Sequence, residues 1–464
     1  MQFEAVDLGD QRRNRRLVQL TDQLVRHPGG TLPEKLPKPA DLEAFYRLLD
    51  ADEVTHAAVL APHRERVLQK LHTTEDYLLV VHDGTEFDFS SRTSLQQLGQ
   101  IGNGRGRGYI VQQSLVVDPQ RGAVEGLVSQ ILHKRPEVSK REWIAARRAR
   151  ESRESLLWLR GTEGLPARRQ VVDVCDRGAD TFEFLEHEFQ SKRTFVIRAC
   201  HDRAIQLAEA PAQAPTVSLF EHLRSCPAQT TTTTTVRIPV TQRSRSSHDL
   251  PTLRTAQLQL TAVPIRVLAP HVHRGIHGDE ALSIWAVRIW EPAPPAGCDP
   301  LEWVLLTNHS CRTVRALRQV QSWYEWRWVI EEFHKGQKSG CDIERLQLRD
   351  ESRLEPALAV LSIVALTLLQ LRDAARDPGA HSRRAAELVS PEAILLLSQW
   401  TEGRPRPHWT LHEYALALAK LGGYRVRKNC PPGWLVLWRG HTKLELMLDG
   451  ARAIQEAQTK CAKR

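Results

Sequence analysis

The sequence predicts an α/β fold, in which a mixed sheet with flanking helices carries a β-rich insertion. In the first half of the chain, short apolar runs alternate with helical patterns, as in a sheet covered by helices. A threonine-rich, β-branched stretch at about 205–310 predicts antiparallel strands with polar turns between them. We therefore expect a helical region at 1–60, a core at 61–375 that contains the insertion, and a second helical region at 376–464.

The composition is that of a basic protein with a real hydrophobic core. Of 464 residues, 41% are hydrophobic, and 64 Lys and Arg against 55 Asp and Glu give a net charge of +9. This balance, with a pI near 9.2, favours a polyanionic partner such as nucleic acid. The eight cysteines form no Cys-x-x-Cys pair, which argues against a zinc ribbon and against a secreted disulfide scaffold.

We expect a cytoplasmic protein that does not enter a membrane. The chain opens with acidic residues where a signal peptide would have an apolar run. The longest apolar run, about 357–371, is shorter than the roughly 20 residues of a membrane span. It predicts a buried helix.

The N-terminal region has the spacing of a helix with a basic face. Leucines recur at near-helical intervals, and a cluster of arginines follows an LGD turn. The cluster consists of Arg12, Arg13, Arg15 and Arg16. Such a cluster suits contact with phosphates, and a solvated face is an equally open alternative. A second basic stretch, 134–153, is another candidate DNA face.

Two apolar runs in the core end directly at an aspartate. Residues 77–81 (YLLVV) precede His82 and Asp83, and residues 170–175 (QVVDVC) precede Asp176. Both runs predict buried strands. Further strands are predicted after the glycine-rich turn at 101–109, at 125–132 and at 194–199, and a helix at 182–189. The glycine-rich turn lacks the spacing of a nucleotide-binding loop.

Residues 323–340 (WYEWRWVIEEFHKGQKSG) predict one continuous helix that ends at a glycine. Five of its polar side chains are three, four, four and three residues apart, so at about 100° per residue they share one face within about 60°. These residues are Tyr324, Arg327, Glu331, Lys335 and Lys338. The face could hold a metal ion and phosphates, and on spacing alone a solvated charged face is the more common outcome.

Asp83, Asp176 and Glu331 are the predicted metal ligands. Three carboxylates can hold two Mg²⁺ or Mn²⁺ ions about 4 Å apart, and this arrangement supports in-line phosphoryl transfer. Other nearby acids compete for the role on spacing alone. They are Asp88, Asp173, Asp180 and Glu332. A metal site at His271, His273 and His277 is disfavoured because no cysteines accompany it.

Together, several motifs resemble the DDE transposases of the insertion-sequence-four family. They are VVHDGTEF, VCDRGAD and the Tyr-Arg-Glu-Lys pattern that is met by Tyr324, Arg327, Glu331 and Lys338. The resemblance runs nearly end to end, from LGDQRRNRRL through EWVLLT and WRWVIEEFHK to LAKLGGY. Departures are mild: Gly84 and Glu86 replace small hydroxyl residues, and Gly178 replaces an acid.

The resemblance implies a ribonuclease-H-like core between an N-terminal DNA-binding region and a C-terminal dimerisation region. Asp83, Asp176 and Glu331 match the catalytic triad, and the implied cofactor is Mg²⁺ or Mn²⁺, two ions per site. Other positions match residues that grip transposon-end DNA around a flipped nucleotide. They are Tyr324, Arg327, Lys338 and Arg198, with Trp303 matching the tryptophan that stacks on the flipped base. Lys335, on the same predicted helix face, is a further candidate for DNA contact.

The implied reaction is cut-and-paste transposition by a homodimer that binds two transposon ends and target DNA. Water frees a 3′-hydroxyl, which attacks the opposite strand to form a hairpin. A second water opens the hairpin, and the 3′-ends then attack the target. Two alternatives are a ribonuclease-H-like nuclease that cuts without joining and a non-catalytic DNA-binding protein derived from a transposase. In a bacterial cell the protein would associate with the nucleoid.

Overall fold

The computed structural model describes residues 3–137, 142–143, 146, 149–211, 213–237, 253–270, 281–296, 298–426 and 431–462. The chain forms two compact units. Unit 1 comprises Met1–Lys70, Gly84–Ser152 and Val329–Arg464, and unit 2 comprises Leu71–Asp83 and Arg153–Trp328. The predicted histidine cluster at 271–277 and much of the basic stretch at 134–153 lie outside the described residues.

Helices and strands alternate along the described chain much as the sequence predicts. The helices are α1 (Gln11–Arg26), α2 (Leu32–Lys35), α3 (Pro39–Leu49), α4 (His56–Thr73), α5 (Leu156–Gly161), α6 (Phe182–Gln190), α7 (Leu219–Ser225), α8 (Val314–Glu325), α9 (Trp328–Lys335), α10 (Glu351–Arg376), α11 (Pro391–Glu402), α12 (Leu411–Leu421) and α13 (Trp434–Ala462). The strands are β1 (Leu78–Asp88), β2 (Gly99–Ile101), β3 (Gly106–Asp118), β4 (Ala123–His133), β5 (Val171–Cys175), β6 (Thr194–Arg198), β7 (Ala204–Leu207), β8 (Val217–Ser218), β9 (Thr230–Arg237), β10 (Leu253–Val267), β11 (Leu282–Trp290) and β12 (Glu302–Thr307).

The strands of unit 2 form a mixed sheet. β1 pairs in parallel with β5, and β5 in parallel with β6. From β6 onward the pairing is antiparallel, through β12 and β11 to β10, which also pairs with β7 and β9. The predicted strands of the insertion are therefore confirmed, including the threonine run, which forms β9. A core of side chains from β5, β6, β11, β12 and α6 packs beneath the sheet.

Unit 1 is built around an antiparallel ladder and a long buried helix. β3 pairs with β2 on one side and with β4 on the other. α10 packs against β4, α1, α3, α12 and α13. It is long and apolar enough to cross a membrane, but 72% of its most apolar window is buried inside the protein, so it is the predicted core helix. The predicted α/β class, a mixed sheet with flanking helices, is confirmed and is consistent with a ribonuclease-H-like core.

The prediction of one continuous helix over 323–340 is wrong. α8 ends at Glu325, and Trp326 and Arg327 form a turn whose backbone N–H groups bond to carbonyls three residues back. α9 then runs to Lys335, and Gly336–Gly340 is π-helical. The 100° period assumed for a single helix therefore does not extend through these breaks. The predicted regions 1–60, 61–375 and 376–464 stay a prediction, since unit 1 contains residues from all three.

Two glycines allow α12 and α13 to cross at close range. A Cβ on Gly440 would lie 1.9 Å from the carbonyl oxygen of Leu418, and one on Gly422 would lie 1.8 Å from that of Val436. No side chain fits at such distances, because both neighbouring atoms belong to the backbone. The crossing buries Leu418 and Leu444 in the C-terminal core.

We predict that Gly440→Ala destabilises unit 1. Backbone atoms must separate to admit the methyl group, and overpacking of this kind costs about 1–3 kcal/mol or more. Gly450→Ala on the same helix is the matched control, because a Cβ there meets nothing within 4 Å. That substitution should raise the unfolding free energy by up to about 1 kcal/mol through helix propensity. Urea unfolding measures the unfolding free energy of both variants. Equal changes in that free energy would contradict the close crossing of α12 and α13.

Candidate active site

The register of β1 and β5 places two predicted ligands side by side in unit 2. Leu78 lies opposite Val171, and His82 lies opposite Cys175. Asp83 and Asp176 are each the next residue, at a position where neighbouring strands lie about 4.8 Å apart. Asp83 is 8% exposed and Asp176 is half-buried. Burial and the surrounding carboxylates, including these two, raise the pKa of the Cys175 thiol.

A tight turn fixes the Asp176 carboxylate. Its Oδ1 accepts a hydrogen bond of 2.8 Å from the backbone N–H of Gly178, so Asp176 caps the 3₁₀ turn Arg177–Ala179. A Cβ on Gly178 would lie 2.8 Å from the indole of Trp158 and 3.2 Å from that Oδ1. A side chain at this position would therefore displace either the indole or the carboxylate, which gives a physical reason for the glycine that the sequence comparison marked as a departure.

Two arginines bring positive charge to this edge of the sheet. Nη1 of Arg327 donates to Oδ2 of Asp83 at 3.4 Å. Arg198, at the end of β6, donates to the carbonyl oxygen of Glu302 at 3.3 Å and also hydrogen-bonds Tyr324. The aspartates, Arg198 and Arg327 thus form one local group within unit 2.

Tyr324 and Trp303 form the aromatic side of the same group. Burial raises the pKa of Tyr324, and the charges of Arg198 and Arg327 act in the opposite direction. The rings of Trp303 and Tyr324 meet edge to face at 5.4 Å between centroids. Trp303 is half-buried, while its neighbour Val304 belongs to the core cluster below the sheet. Trp303 is therefore less buried than the residue that follows it on β12.

A buried charge network lies directly behind the aspartates, and the sequence analysis did not find it. Oδ1 of Asp173 bonds to Nε2 of His82 at 2.8 Å, and Oδ2 accepts from Nε of Arg193 at 2.6 Å. Nη2 of Arg193 also donates to Glu188 at 3.0 Å. All four side chains are at most 5% exposed. An acid in the middle of an apolar strand and a histidine just before Asp83 were the available signals.

The network has an asymmetric charge distribution. Burial by itself would raise the pKa of Asp173, but Arg193 and His82 outweigh this effect and lower it. Burial raises the pKa of Glu188, and the neighbouring Asp173 charge adds to that increase. Arg193 and His82 thus favour the ionised form of Asp173, whereas burial and the Asp173 charge favour the protonated form of Glu188.

Each of the four competing acids forms hydrogen bonds or an ion pair with residues of its own unit. Asp173 belongs to the buried network, and Asp180 accepts from the backbone N–H groups of Cys200 and His201 at 2.7 and 3.0 Å and from Arg203. These contacts use the carboxylate of Asp180, although that residue, Cys200 and His201 lie within reach of one metal ion.

In unit 1, Glu332 pairs with the buried Arg372, and Asp88 accepts from the hydroxyl and backbone N–H of Ser90. These hydrogen bonds, with Lys338, lower the pKa of Asp88. Both acids thus have structural partners within unit 1.

The remaining predicted residues of the signature lie in unit 1. Glu331 is half-buried on α9, and Lys335 is exposed at the end of that helix. Lys338, in the π-helical turn, lies 3.8 Å from Glu344. Because Asp83 and Asp176 lie in unit 2, the grouping of Glu331 with them stays a prediction.

The N-terminal arginines differ in their surroundings. Asp10 caps α1, whose buried face comprises Leu17, Leu20, Thr21 and Leu24. Arg12, Arg15 and Arg16 are exposed, whereas Arg13 pairs with Glu53 at 2.7 Å and donates to the carbonyl oxygen of Leu8. Three of the four arginines therefore form the exposed basic face, and Arg13 also joins α1 to neighbouring segments.

Residues 1–54 match the model of a protein family described as transposase DNA-binding. The matched segment contains α1, α2 and α3 and the whole arginine cluster. The match supports a transposase that binds DNA, and it agrees with the basic composition of the chain.

We predict that Glu188→Gln increases the free energy of unfolding, relative to that of the unchanged protein, by more at pH 7 than at pH 4. Native Glu188 keeps its proton above the ordinary pKa of about 4.3, where the unfolded chain has lost it. The native state then binds more protons, so its unfolding free energy falls as pH rises through that window. Glutamine removes this loss and keeps an acceptor for Arg193.

Urea unfolding of both proteins at pH 4, 5.5 and 7 measures the effect. Glu186→Gln, half-buried on the same helix, is the control for the loss of a carboxylate from α6. A Glu188→Gln difference that stays constant or shrinks toward pH 7 would contradict a protonated Glu188.

Proposed function

We propose that this chain is a DDE transposase that cuts and joins DNA at Asp83, Asp176 and Glu331. The observation that carries the proposal is the parallel register of β1 and β5, which sets Asp83 beside Asp176 and next to Arg327, Tyr324 and Arg198. The match of residues 1–54 to a transposase DNA-binding family supports the same class of function. The motifs point to the insertion-sequence-four family and, within it, to similarity with the transposase of transposon five.

The donor set suits hard divalent cations. Asp83 offers carboxylate oxygens from β1 and Asp176 offers them from the residue directly after β5, where its bond to Gly178 orients it. Oxygen ligands of this kind fit Mg²⁺, with Mn²⁺ as a substitute, and Glu331 would supply the third carboxylate. Two such ions, when bound, would activate the attacking oxygen and stabilise the leaving oxygen of the phosphoryl transfer.

The cations and aromatic residues suit the DNA strand itself. Arg327 and Arg198 carry guanidinium groups, which can bind phosphates through charge-assisted hydrogen bonds. Tyr324 offers a hydroxyl beside them, and Lys335 and Lys338 extend the positive charge along the signature segment. The half-buried Trp303 offers a ring face to an unstacked base.

The proposed reaction is cut-and-paste transposition in the order that the resemblance implies. Hydrolysis frees a 3′-hydroxyl at the transposon end. The hairpin forms when this hydroxyl attacks a phosphodiester of the opposite strand and displaces the 3′-oxygen of the flanking DNA. After water opens the hairpin, the 3′-ends attack target DNA. The proposed assembly is a homodimer that pairs two ends, with its C-terminal region at the dimer interface, and it works on cytoplasmic, nucleoid-associated DNA.

We expect Asp83→Asn, Asp176→Asn and Glu331→Gln each to reduce DNA cleavage by about 100- to 1,000-fold, the scale of losing one electrostatic contribution to the transition state. The substrate is DNA that carries the ends flanking this gene, with Mg²⁺ or Mn²⁺, and products are resolved on a denaturing gel. The unchanged protein should give metal-dependent nicks and hairpins.

Glu332→Gln is the matched control, since it removes the adjacent acid on α9, which pairs with Arg372. This variant should keep cleavage within about tenfold, an allowance of about 1.4 kcal/mol for the altered ion pair. Equal losses in Glu331→Gln and Glu332→Gln would overturn the assignment of Glu331. Nicks without hairpins in the unchanged protein would favour a nuclease, and specific binding without any cleavage would indicate a non-catalytic DNA-binding protein.

We predict that Trp303→Ala separates hairpin formation from nicking. Loss of base stacking, worth about 1–3 kcal/mol, should slow hairpin formation by about 5- to 150-fold, while the first nick stays within about threefold. Trp285→Ala on the neighbouring strand β11 removes another half-buried tryptophan and should change neither step selectively. A parallel loss of both steps in Trp303→Ala would mean that this indole has only a structural role.

A further inference from the structure

A fully buried lysine connects the N-terminal DNA-binding region to the segment that follows α9. Lys35 ends α2 and is 0% exposed. Its Nζ donates to the carbonyl oxygens of Pro28, of Gly30 at 2.8 Å and of Cys341 at 2.8 Å. Burial lowers the pKa of Lys35 to about 8, and the three acceptors match its three N–H groups. The residue therefore joins two chain segments that are more than 300 positions apart.

A second contact joins the same two segments. The backbone N–H of Gly30 donates to Oδ2 of Asp342 at 2.7 Å. A Cβ on Gly29 would lie 3.4 Å from both Asp342 Oδ2 and the carbonyl oxygen of Gly340, so the two backbones run close together. Asp342 has a left-handed backbone with φ of 46°. Such a conformation persists in a non-glycine residue when its surroundings fix it.

The segment held by these contacts is the π-helical turn that carries Lys338. Its wide hydrogen bond runs from the N–H of Cys341 to the carbonyl oxygen of Gly336 at 2.7 Å. On the opposite side, Nε2 of the buried Gln337 donates to Oγ of Ser362 on α10 at 2.8 Å. The turn is thus fixed through Cys341 on one side and through Gln337 on the other.

The direction of Lys338 depends on this turn. A π-helical turn contains about one residue more than an α-helical turn, so its return to α-helix would rotate the following side chains by about 100°. Lys35 supplies a hydrogen bond to the carbonyl oxygen of Cys341, where the turn ends. Removing Lys35 leaves that oxygen and those of Pro28 and Gly30 without this donor in a buried site, which favours rearrangement of both segments.

We propose that Lys35 is a positioning residue that couples DNA binding by residues 1–54 to the placement of Lys338. The proposal rests on the proposed function, because Lys338 acts there as a phosphate contact. Through Lys35 and Asp342, the backbone at 28–30 and the turn at 336–342 move as one. DNA held by the N-terminal region is thereby aligned with the phosphate grip of the signature segment.

A double-mutant cycle between Lys35 and Lys338 tests the coupling. We expect Lys338→Ala to slow single-turnover cleavage at saturating end DNA about 30-fold in the unchanged background but at most about threefold beside Lys35→Met. Lys335→Ala, on α9 before the π turn, should slow cleavage by the same factor in both backgrounds.

The affinity for end DNA provides a control. Lys35→Met should keep the dissociation constant for end DNA within about threefold of that of Lys38→Met, which removes an exposed lysine of the same region. A destabilised fold would not produce this selective non-additivity.

Amide hydrogen exchange without DNA gives a second readout that needs no cleavage. Lys35→Met should speed exchange at 336–341 at least about tenfold and leave the middle of α1 unchanged. Asp342→Gly, which removes the carboxylate without straining the backbone, should also speed exchange at 336–341 and serves as the test if Lys35→Met fails to fold.

Unchanged exchange at 336–341, or additive effects of Lys35→Met and Lys338→Ala on cleavage, would overturn the coupling. Absence of end binding and cleavage in the unchanged protein would instead refute the proposed function, and the exchange result would still decide whether Lys35 holds the turn.

Discussion

The buried contact of Asp173 with His82 and Arg193 is the constraint on which the candidate site depends. It joins β1 and β5 and the loop that enters β6, directly behind the edge where Asp83 and Asp176 lie. A buried ion pair gains little net stability over apolar packing, but breaking it leaves an uncompensated charge. We infer that its main contribution is to specify one register, because a slip of one residue would turn every side chain of β1 to the other face of the sheet.

Charge balance explains why two aspartates can share one edge of a sheet. Asp83 and Asp176 would repel each other without nearby cations, and Arg327, which donates to Asp83, reduces that repulsion. Arg198 adds positive charge beside Tyr324. Each of these arginines also has a second partner within unit 2, the ring of Trp328 or the carbonyl oxygen of Glu302. The same arrangement of carboxylates and cations that stabilises the protein is suited to metal ions and phosphates.

An aspartate at the end of an apolar run is a signal that hydrophobic patterning alone carries, and it singled out Asp83 and Asp176. The pairing of their strands came from the structure, in which β1 continues past Asp83 to Asp88 and β5 ends at Cys175. The break at Trp326–Arg327 and the π turn were missed because a single helical period was assumed across residues of good helix propensity. The contacts of Lys35 with Cys341 and of Arg193 with Asp173 join residues distant in sequence, and the ion pair of Arg13 with Glu53 is of the same kind. Periodicity carries no information about such contacts.

The most direct test of the central claim is metal-directed cleavage of the polypeptide. Fe²⁺ in place of Mg²⁺, with ascorbate and peroxide, cuts the backbone near its ligands, and mass spectrometry locates the cuts. We predict cuts near residues 83, 176 and 331 together, suppressed by excess Mg²⁺ and by Asp83→Asn. Cuts near 83 and 176 without one near 331, or cuts near 180 and 200 instead, would contradict a site formed by Asp83, Asp176 and Glu331.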